Sequence, residues 1–168
     1  MSGDPTGPTP PGNETPEAVL ARYAEVLCAA AEAAVAGWVV RCVERRWREW
    51  SGSAPGEDLR AAAAEAGEAA RAQAVGALRA LLALDPDDQR TGPLAVLRRA
   101  VAHPTAVLRV AGVPPVVRDD FAVRTFPDDD YDLSPAAFAD IDPSLHEPGL
   151  VWGAAKAHVV LTRRRGRS

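Results

Sequence analysis

This sequence has few of the large side chains that usually fill a protein core. Aromatic residues make up 5% of its 168 positions, although apolar residues make up 47%, because much of the apolar content is alanine. A buried alanine removes little surface from water, so stability must come from helices that approach each other closely over a long contact. Lysine is also scarce: Lys156 is the single lysine among 19 basic residues, which we attribute to genomic base composition.

The motifs of the common enzyme classes are missing as well. The sequence has no GxSxG, Walker, GxGxxG or CxxC pattern, and its three histidines do not have the spacing of metal ligands. The two cysteines, Cys28 and Cys42, fall on one predicted helix about 21 Å apart, which excludes a disulfide between them. We therefore expect buried free thiols, no cofactor and no catalytic residues.

The first 14 residues lack the apolar stretch of a signal peptide. They are rich in proline, glycine and threonine, a composition that predicts a disordered tail. With no signal peptide and no disulfide, we expect a cytoplasmic protein. The net charge of −4 argues against general nucleic-acid binding, unless the positive charge is clustered.

One stretch, residues 15–50, dominates the chain and predicts a single long helix. Thr15 can cap the first turn, Pro16 suits the first helical position, and Gly52 can end the helix in the left-handed region. Its middle is apolar on almost every side, but only about 15 residues long, short of the ~20 that a membrane span needs. Because Glu32 also lies near that centre, we predict a helix enclosed by other helices.

A second helix, residues 57–84, follows after a short loop, so the two helices must run antiparallel. Trp38 lies on the apolar stripe of the first helix and is expected to be buried between them. We predict a mostly α fold, in which residues 15–162 form one domain. Its helical hairpin spans 15–84, and a loop-rich acidic module of shorter helices, 91–162, packs on it. Residues 163–168 form a basic tail.

The C-terminal module should consist of short pieces with fixed corners. A helix starting at 91–93 is expected to end or kink at Pro104, with Thr105 capping a second segment that Gly112 ends. We expect 116–126 to be an extended arm and not a strand pair, because an isolated hairpin is marginal. Capping residues followed by proline predict helical starts at 134–135, 142–143 and 147–148. The last helix is expected to bury Leu150, Val151, Ala154, Ala157 or His158, and Leu161.

Part of this module, YDLSPAAFADIDPSLHEPGLVWGAAKAH together with PPVVRDDF, resembles a family of small uncharacterised helical proteins of high-GC, actinobacterial-type bacteria. The resemblance covers residues 92–161. The family has no assigned activity, so the resemblance implies a structural unit and supplies no catalytic residues.

The same module concentrates negative charge. Between Asp119 and Glu147 there are nine acidic residues against Arg124 alone, a sum of −8. The acidic run does not fit an EF-hand loop, because the positions for the turn glycine and the final glutamate hold other residues. It could dock on arginines of its own chain or present a recognition surface to a basic partner. The predicted interaction surface comprises Asp128, Asp129, Asp130, Asp132, Asp140, Asp142 and Glu147.

Positive charge clusters at the end of the first helix, next to two tryptophans. Arginine beside tryptophan can grip phosphates or stack on bases, although Glu44 and Glu49 dilute the charge. An amphipathic helix end explains the same pattern without any ligand. The candidate basic patch comprises Arg41, Arg45, Arg46, Arg48, Trp47 and Trp50.

These observations favour a non-enzymatic helical interaction protein that binds a protein partner, with no membrane role. The alternative is a carboxylate-based metal-dependent hydrolase, and the third hypothesis is weak nucleic-acid binding through the arginine clusters. A homodimer is compatible with the sequence. We expect the aromatic residues of the acidic module to anchor it on the alanine-rich hairpin with its carboxylates outward. These anchors are Phe121, Phe126, Tyr131, Phe138 and Trp152.

Overall fold

The computed structural model describes residues 14–118, 126, 128–145 and 148–167 of the chain. It confirms a mostly α fold, and none of these residues forms a β-strand. The helices are α1 (Pro16–Ser51), α2 (Glu57–Ala83), α3 (Pro93–Arg98), α4 (Ala102–Val110), α5 (Phe138–Ile141) and α6 (Pro148–Arg165). One turn of 3₁₀-helix, Arg99–Val101, joins α3 to α4, and another, Pro143–Leu145, precedes α6.

Local capping sets both ends of α1, as the sequence predicts. The Thr15 hydroxyl accepts a hydrogen bond from the backbone N–H of Ala18 at 3.2 Å. At the other end Gly52 has a φ of 72°, and its N–H donates to the carbonyl of Arg48. The left-handed conformation at Gly52 is one that a side chain would disfavour, so the helix ends there.

The two long helices form an antiparallel hairpin whose backbones nearly touch. A Cβ added at Gly67 of α2 would lie 2.7 Å from the carbonyl oxygen of Ala36 in α1. Only glycine allows this approach, which brings the alanines of both helices into contact. Ion pairs from Glu32 of α1 to Arg71 and Arg79 of α2 lie along the exposed edge of the same contact.

A second face of α1 packs on the C-terminal half of the chain. Trp38 is 4% exposed, which confirms its predicted burial. Ala36 faces α2, however, and Trp38 lies about 200° further round the helix, so it is not between α1 and α2. It faces the side on which Arg41 donates a hydrogen bond to the carbonyl of Ile141. Burial on both faces explains why α1 is apolar almost all round.

By length and composition α1 could also cross a membrane, but half of its most apolar window is buried inside this fold. Core helices of soluble proteins have the same properties.

The helix does not end at Pro104, which was one of the two predicted alternatives. Helix α4 begins at Ala102, so Pro104 is its third residue and Thr105 lies within the helix instead of capping a new one. Residues in the first turn have no intrahelical partner for their N–H, and proline therefore costs nothing there. The irregularity lies in the 3₁₀ turn Arg99–Val101, directly before α4. Gly112, with a φ of 81°, ends α4 as predicted, and the N–H of Val113 donates to the carbonyl of Leu108.

The segment after α4 crosses the hairpin and is held by buried aromatic and aliphatic side chains. Tyr131, Phe138 and Trp152 are 2%, 7% and 3% exposed, and Phe126 is half-buried beneath the guanidinium of Arg98. Tyr131 and Phe138 belong to the same buried cluster as residues of the hairpin, and Trp152 is also buried, so the burial expected of these three is confirmed. The ring contact of the half-buried Phe126 is with Arg98 of α3 and not with the hairpin, and Phe121 lies outside the described residues. Most of the predicted arm at 116–126 also lies outside them, but Val116 donates its N–H to the carbonyl of Asp130 at 2.8 Å.

Two predicted helical starts are correct and one is wrong. The turn at Pro143 and helix α6 at Pro148 begin where capping residues precede proline. Helix α5 begins at Phe138 and not at Ser134-Pro135, because Asp140 accepts hydrogen bonds from the N–H groups of Ala136 and Ala137 and fixes a non-helical turn before it.

Helix α6 lies antiparallel to α1, and Arg163 near its end pairs with Glu17 at the start of α1 and with Asp85 after α2. Among the residues of α6 whose side chains the structure describes, 151–165, Trp152, Ala155 and Val159 are buried. The side chain of Leu150, also predicted to be buried, lies outside that range. The predicted face is wrong for Ala154, Ala157, His158 and Leu161, which are exposed. Trp152 carries the largest apolar area in the helix, so the face that buries it replaces the predicted one.

The close contact at Gly67 gives the first testable prediction. Gly67→Ala would force the α1 and α2 backbones apart and should lower the free energy of unfolding by about 1–3 kcal/mol. Gly76→Ala is the matched control on the same helix, since a Cβ there meets nothing within 4 Å. It should raise the stability by up to about 1 kcal/mol, because alanine favours helix. Denaturant unfolding of both variants measures the two changes, and equal effects would contradict the backbone contact.

Candidate binding surfaces

The acidic segment is engaged by arginines of its own chain. Asp130 pairs with Arg109 of α4, and Asp132 pairs with Arg118 at 2.9 Å. The Arg118 guanidinium also donates to the carbonyl of Asp129 at 3.0 Å. Of the two roles that the sequence leaves open, docking on the protein's own arginines is therefore present in the structure.

Asp129 departs from the expectation that the carboxylates point outward. It is 5% exposed, and its Oδ2 accepts a hydrogen bond from the backbone N–H of Ser134 at 2.6 Å. Its Oδ1 is buried and has no hydrogen-bond partner among the residues that the structure describes. The carboxylate thus acts as an internal anchor that fixes the turn leading to α5.

Two further acidic residues of the predicted surface hold local turns. Asp140 accepts the two backbone bonds that precede α5. Hydrogen bonds from the hydroxyl and the backbone N–H of Ser144 hold the pKa of Asp142 below its usual value. Asp128 is exposed, and Glu147 lies outside the described residues. Within the described part of the chain, no three His, Cys, Asp or Glu side chains form a group that could hold a metal ion.

The predicted basic patch is divided between two faces of α1. Arg41, Arg45 and Arg48 line a cleft of about 500 Å³ together with Trp38 and Asp140. Because Arg41 is bonded to Ile141 and Arg45 lies 4.0 Å from Glu49, part of this charge serves the fold.

The other members of the patch lie away from that cleft. Arg46 pairs with Glu49 at 3.0 Å. The rings of Trp47 and Trp50 meet edge to face, with centroids 5.3 Å apart, and Trp50 is 46% exposed. The six residues therefore do not form one continuous basic surface.

An apolar groove on the surface has no counterpart in the predictions from the sequence. This apolar groove has a volume of about 630 Å³ and lies between the start of α2 and the end of α4, with Trp47 at its base. Val110 on its wall is 92% exposed. The sequence does contain a sign of this groove, since the apolar Val107 and Val110 are one helical turn apart. The predicted end of a helix at Pro104 obscured that pattern. The lining residues are Trp47, Asp58, Leu59, Ala62, Glu65, Ala66, Ala69, Ala106, Val107, Val110 and Ala111.

Both cysteines are buried free thiols, as expected. Burial raises the pKa of the Cys42 thiol to about 11, although Arg45 and Arg41 oppose the shift. Burial also raises the pKa of Cys28. A thiol that stays protonated at neutral pH is a poor nucleophile, so neither cysteine has the environment of a reactive one.

Comparison of the chain with protein-family models, with curated proteins and with solved structures found no match.

The internal role of Asp129 can be tested against its neighbour. Asp129→Ala removes the acceptor of the Ser134 N–H and should lower the free energy of unfolding by about 1–3 kcal/mol, since that partly buried donor is left without a partner. Asp128→Ala changes an exposed carboxylate and should stay within about 0.5 kcal/mol. Thermal or denaturant unfolding measures both. Equal losses in the two variants would show that Asp129 is not an internal anchor.

The raised pKa of Cys42 predicts a loss of stability at alkaline pH. The unfolded thiol ionises near pH 9, whereas the folded thiol stays protonated up to about pH 11. Its contribution is therefore complete below pH 9 and falls as the pH rises towards 11, by about 2–3 kcal/mol in total. Unfolding curves between pH 8 and 11 measure how steeply the free energy of unfolding falls with pH. Cys42→Ala should remove the contribution of this thiol to that slope. An unchanged slope in the variant would contradict the shift.

Proposed function

We propose that this protein is a non-enzymatic helical interaction protein, and that its apolar groove binds an amphipathic helix of a partner protein. The observation that carries the proposal is the groove itself. Its walls are alanine, valine and leucine side chains, and a tryptophan lies at its base. A shallow apolar channel between two helices is the usual receptor for the apolar face of a third helix.

Exposure of Val110 supports the proposal. Val110, at the end of α4, is 92% exposed, so it buries almost none of its side chain within this chain. It stands beside Val107 and Ala111, both half-buried, so the apolar surface continues from the core into the groove. Burying such a surface against a partner would release ordered water and stabilise the complex.

The charges at the edge of the groove indicate which helix it would accept. Asp58 and Glu65 are exposed on α2 at the groove and lie seven residues, about 10.5 Å, apart. None of the described residues that line the groove is an arginine or a lysine. A partner helix with arginine or lysine at two positions seven residues apart would place both beside these carboxylates, which would select its orientation.

The acidic segment supports partner binding less well than the groove. Asp130 and Asp132 pair with Arg109 and Arg118, and Asp129 is buried. A basic partner would have to displace these internal contacts before it could use the same carboxylates. For this reason we place the recognition surface at the groove and regard the acidic segment as part of the scaffold.

A synthetic helical peptide of about 18 residues tests the proposal directly. It carries a leucine and alanine face with two arginines seven residues apart beside that face, and its twin carries glutamate in place of both arginines. Isothermal titration of the full-length protein should show saturable one-to-one binding of the arginine peptide and at least about tenfold weaker binding of the twin.

Two protein variants locate the peptide. Val110→Lys places a positive charge in the groove and should weaken binding of the arginine peptide by about tenfold or more. Val117→Lys is the matched control, because Val117 is 97% exposed and lies outside the groove. Equal binding of both peptides, or no effect of Val110→Lys, would overturn the proposal. So would a homodimer that Val110→Lys dissociates, since the groove would then be filled by a second copy.

A further inference from the structure

A second groove lies between α1 and α2, at the opposite end of the hairpin from the apolar groove. This hairpin groove has a volume of about 420 Å³ and runs between residues 21–32 of α1 and 79–83 of α2. It continues into a hollow of about 440 Å³ beside the start of α1 and the end of α2. None of the residues that line the apolar groove lines the hairpin groove.

Within the described ranges, only α1 and α2 line the hairpin groove. Elsewhere α1 also packs on α4 and α6. The apolar surface of the groove consists of alanines, the half-buried Leu82 and the buried Cys28, and Leu84 in the adjoining hollow is 50% exposed. An apolar face between two helices is stabilised when a further helix covers it, and these residues leave that position open.

The two walls of the groove carry opposite charges. On α1, Glu25 is exposed and has no hydrogen bond or ion pair with any described residue. On α2, the side chain of Arg79 is 66% exposed, and its ion pair with Glu32 is long, at 3.9 Å. Glu32 pairs more closely with Arg71, at 3.4 Å. The groove therefore offers a free carboxylate on one wall and a weakly held guanidinium on the other.

Glu25 and Arg79 lie at the same level along the hairpin. The Glu32–Arg71 ion pair shows which residues of the two antiparallel helices are level. Seven residues from that pair, Glu25 is level with Leu78, and Arg79 is the next residue, about 1.5 Å further along the axis. The two charges thus face each other from opposite walls of the groove.

We propose that the hairpin groove is the interface of a homodimer, in which the same groove of a second copy of this chain covers it. A two-fold axis parallel to the groove lays α1 of each copy over α2 of the other. Since Glu25 and Arg79 are level, each Glu25 then lies opposite the Arg79 of the other copy. Two equivalent ion pairs form across the interface, and the alanines and leucines of both copies meet between them.

Charge complementarity selects both the occupant and its orientation. A two-fold axis perpendicular to the groove would lay α1 over α1 and bring the Glu25 and Glu32 carboxylates of both copies together, which like-charge repulsion opposes. An unrelated helix with charges of one sign would be attracted by one wall and repelled by the other. A second copy carries both signs in the arrangement that the two walls require.

The dimensions of this face predict a weak dimer. Residues 17–32 of α1 line the groove and its hollow and span about 22 Å, and two helices side by side are about 20 Å wide. Each copy therefore contributes roughly 400–500 Å², so the two together fall below the ~1,200 Å² of a stable interface of standard size. We expect a reversible dimer with a Kd of about 10–100 µM.

Sedimentation equilibrium of the full-length protein measures this association. The average mass should rise from 17.7 kDa, the mass of the monomer, towards twice that value between about 1 and 500 µM. Two variants serve as controls and should leave the Kd unchanged. Val110→Lys alters the apolar groove, and Arg60→Glu alters an exposed arginine of α2 that lines neither groove.

Charge-reversal variants decide whether the interface is the hairpin groove. Glu25→Arg and Arg79→Glu alter exposed side chains, and each should dimerise at least about tenfold more weakly, because like charges would face each other twice in its homodimer. An equimolar mixture of the two variants restores opposite charges at both ion pairs. The mixture should therefore form a heterodimer about as strong as the wild-type dimer, while thermal melts show that both variants are folded.

Three results would overturn the proposal. The first is a wild-type protein that stays monomeric at about 500 µM, since the groove would then be empty or hold another occupant. The second is a mixture of the charge-reversal variants that forms no heterodimer. The third is a dimer that Val110→Lys or Arg60→Glu weakens as much as the charge reversals do, because the interface would then lie elsewhere.

Discussion

The close approach of α1 and α2 is the contact on which the rest of this structure depends. With few aromatic residues and many alanines, the chain cannot build a thick core, so it gains packing by bringing two backbones together. Gly67 against the carbonyl of Ala36 is the narrowest point of that contact. On either side of it the buried residues of α2 are small: Ala63 and Ala70 are fully enclosed. The length of the contact compensates for the small size of the buried side chains, since it extends along helices of 36 and 27 residues.

The C-terminal half follows the opposite rule. It is held by a few large side chains, because a segment with many prolines and carboxylates has no long regular surface to bury. Tyr131 is buried and donates its hydroxyl hydrogen bond to the carbonyl of Val113 at 2.7 Å. Ion pairs and Asp129 then fix the path between these anchors. Helix α4 lies between the two halves and borders the apolar groove. The proposed binding site therefore arises where the two packing modes meet.

Features that depend on local chemistry could be predicted from the sequence. The ends of α1 follow from Thr15, Pro16 and Gly52, and the end of α4 follows from Gly112, because caps involve only neighbouring residues. The hairpin followed from a short loop between two apolar helices. The aromatic anchors were also predictable, since no other side chains in that segment could bury as much area.

Features that depend on distant residues could not be predicted in this way. Asp129 carries the same charge as Asp128, and only the path of the chain buries one and exposes the other. A proline such as Pro104 gives the same local signal at the end of a helix as in the first turn of one. In the structure it lies in the first turn of α4. To predict the apolar groove, one would have to know that α4 packs beside the start of α2. To predict that the basic patch is divided, one would have to know that both sides of α1 are covered.

We expect that α1, enclosed by α2 on one side and by the C-terminal module on the other, unites the chain in one cooperative unit. Native-state hydrogen exchange of the full-length protein tests it most directly. The account predicts that amides in the middle of α1 and α2, and those of Tyr131, Leu133 and Trp152, exchange with the same free energy, that of global unfolding. The opposite result would be protection of α1 and α2 together with exchange of residues 128–145 at the rate of an unstructured peptide. That outcome would show that the module is not part of the folded unit.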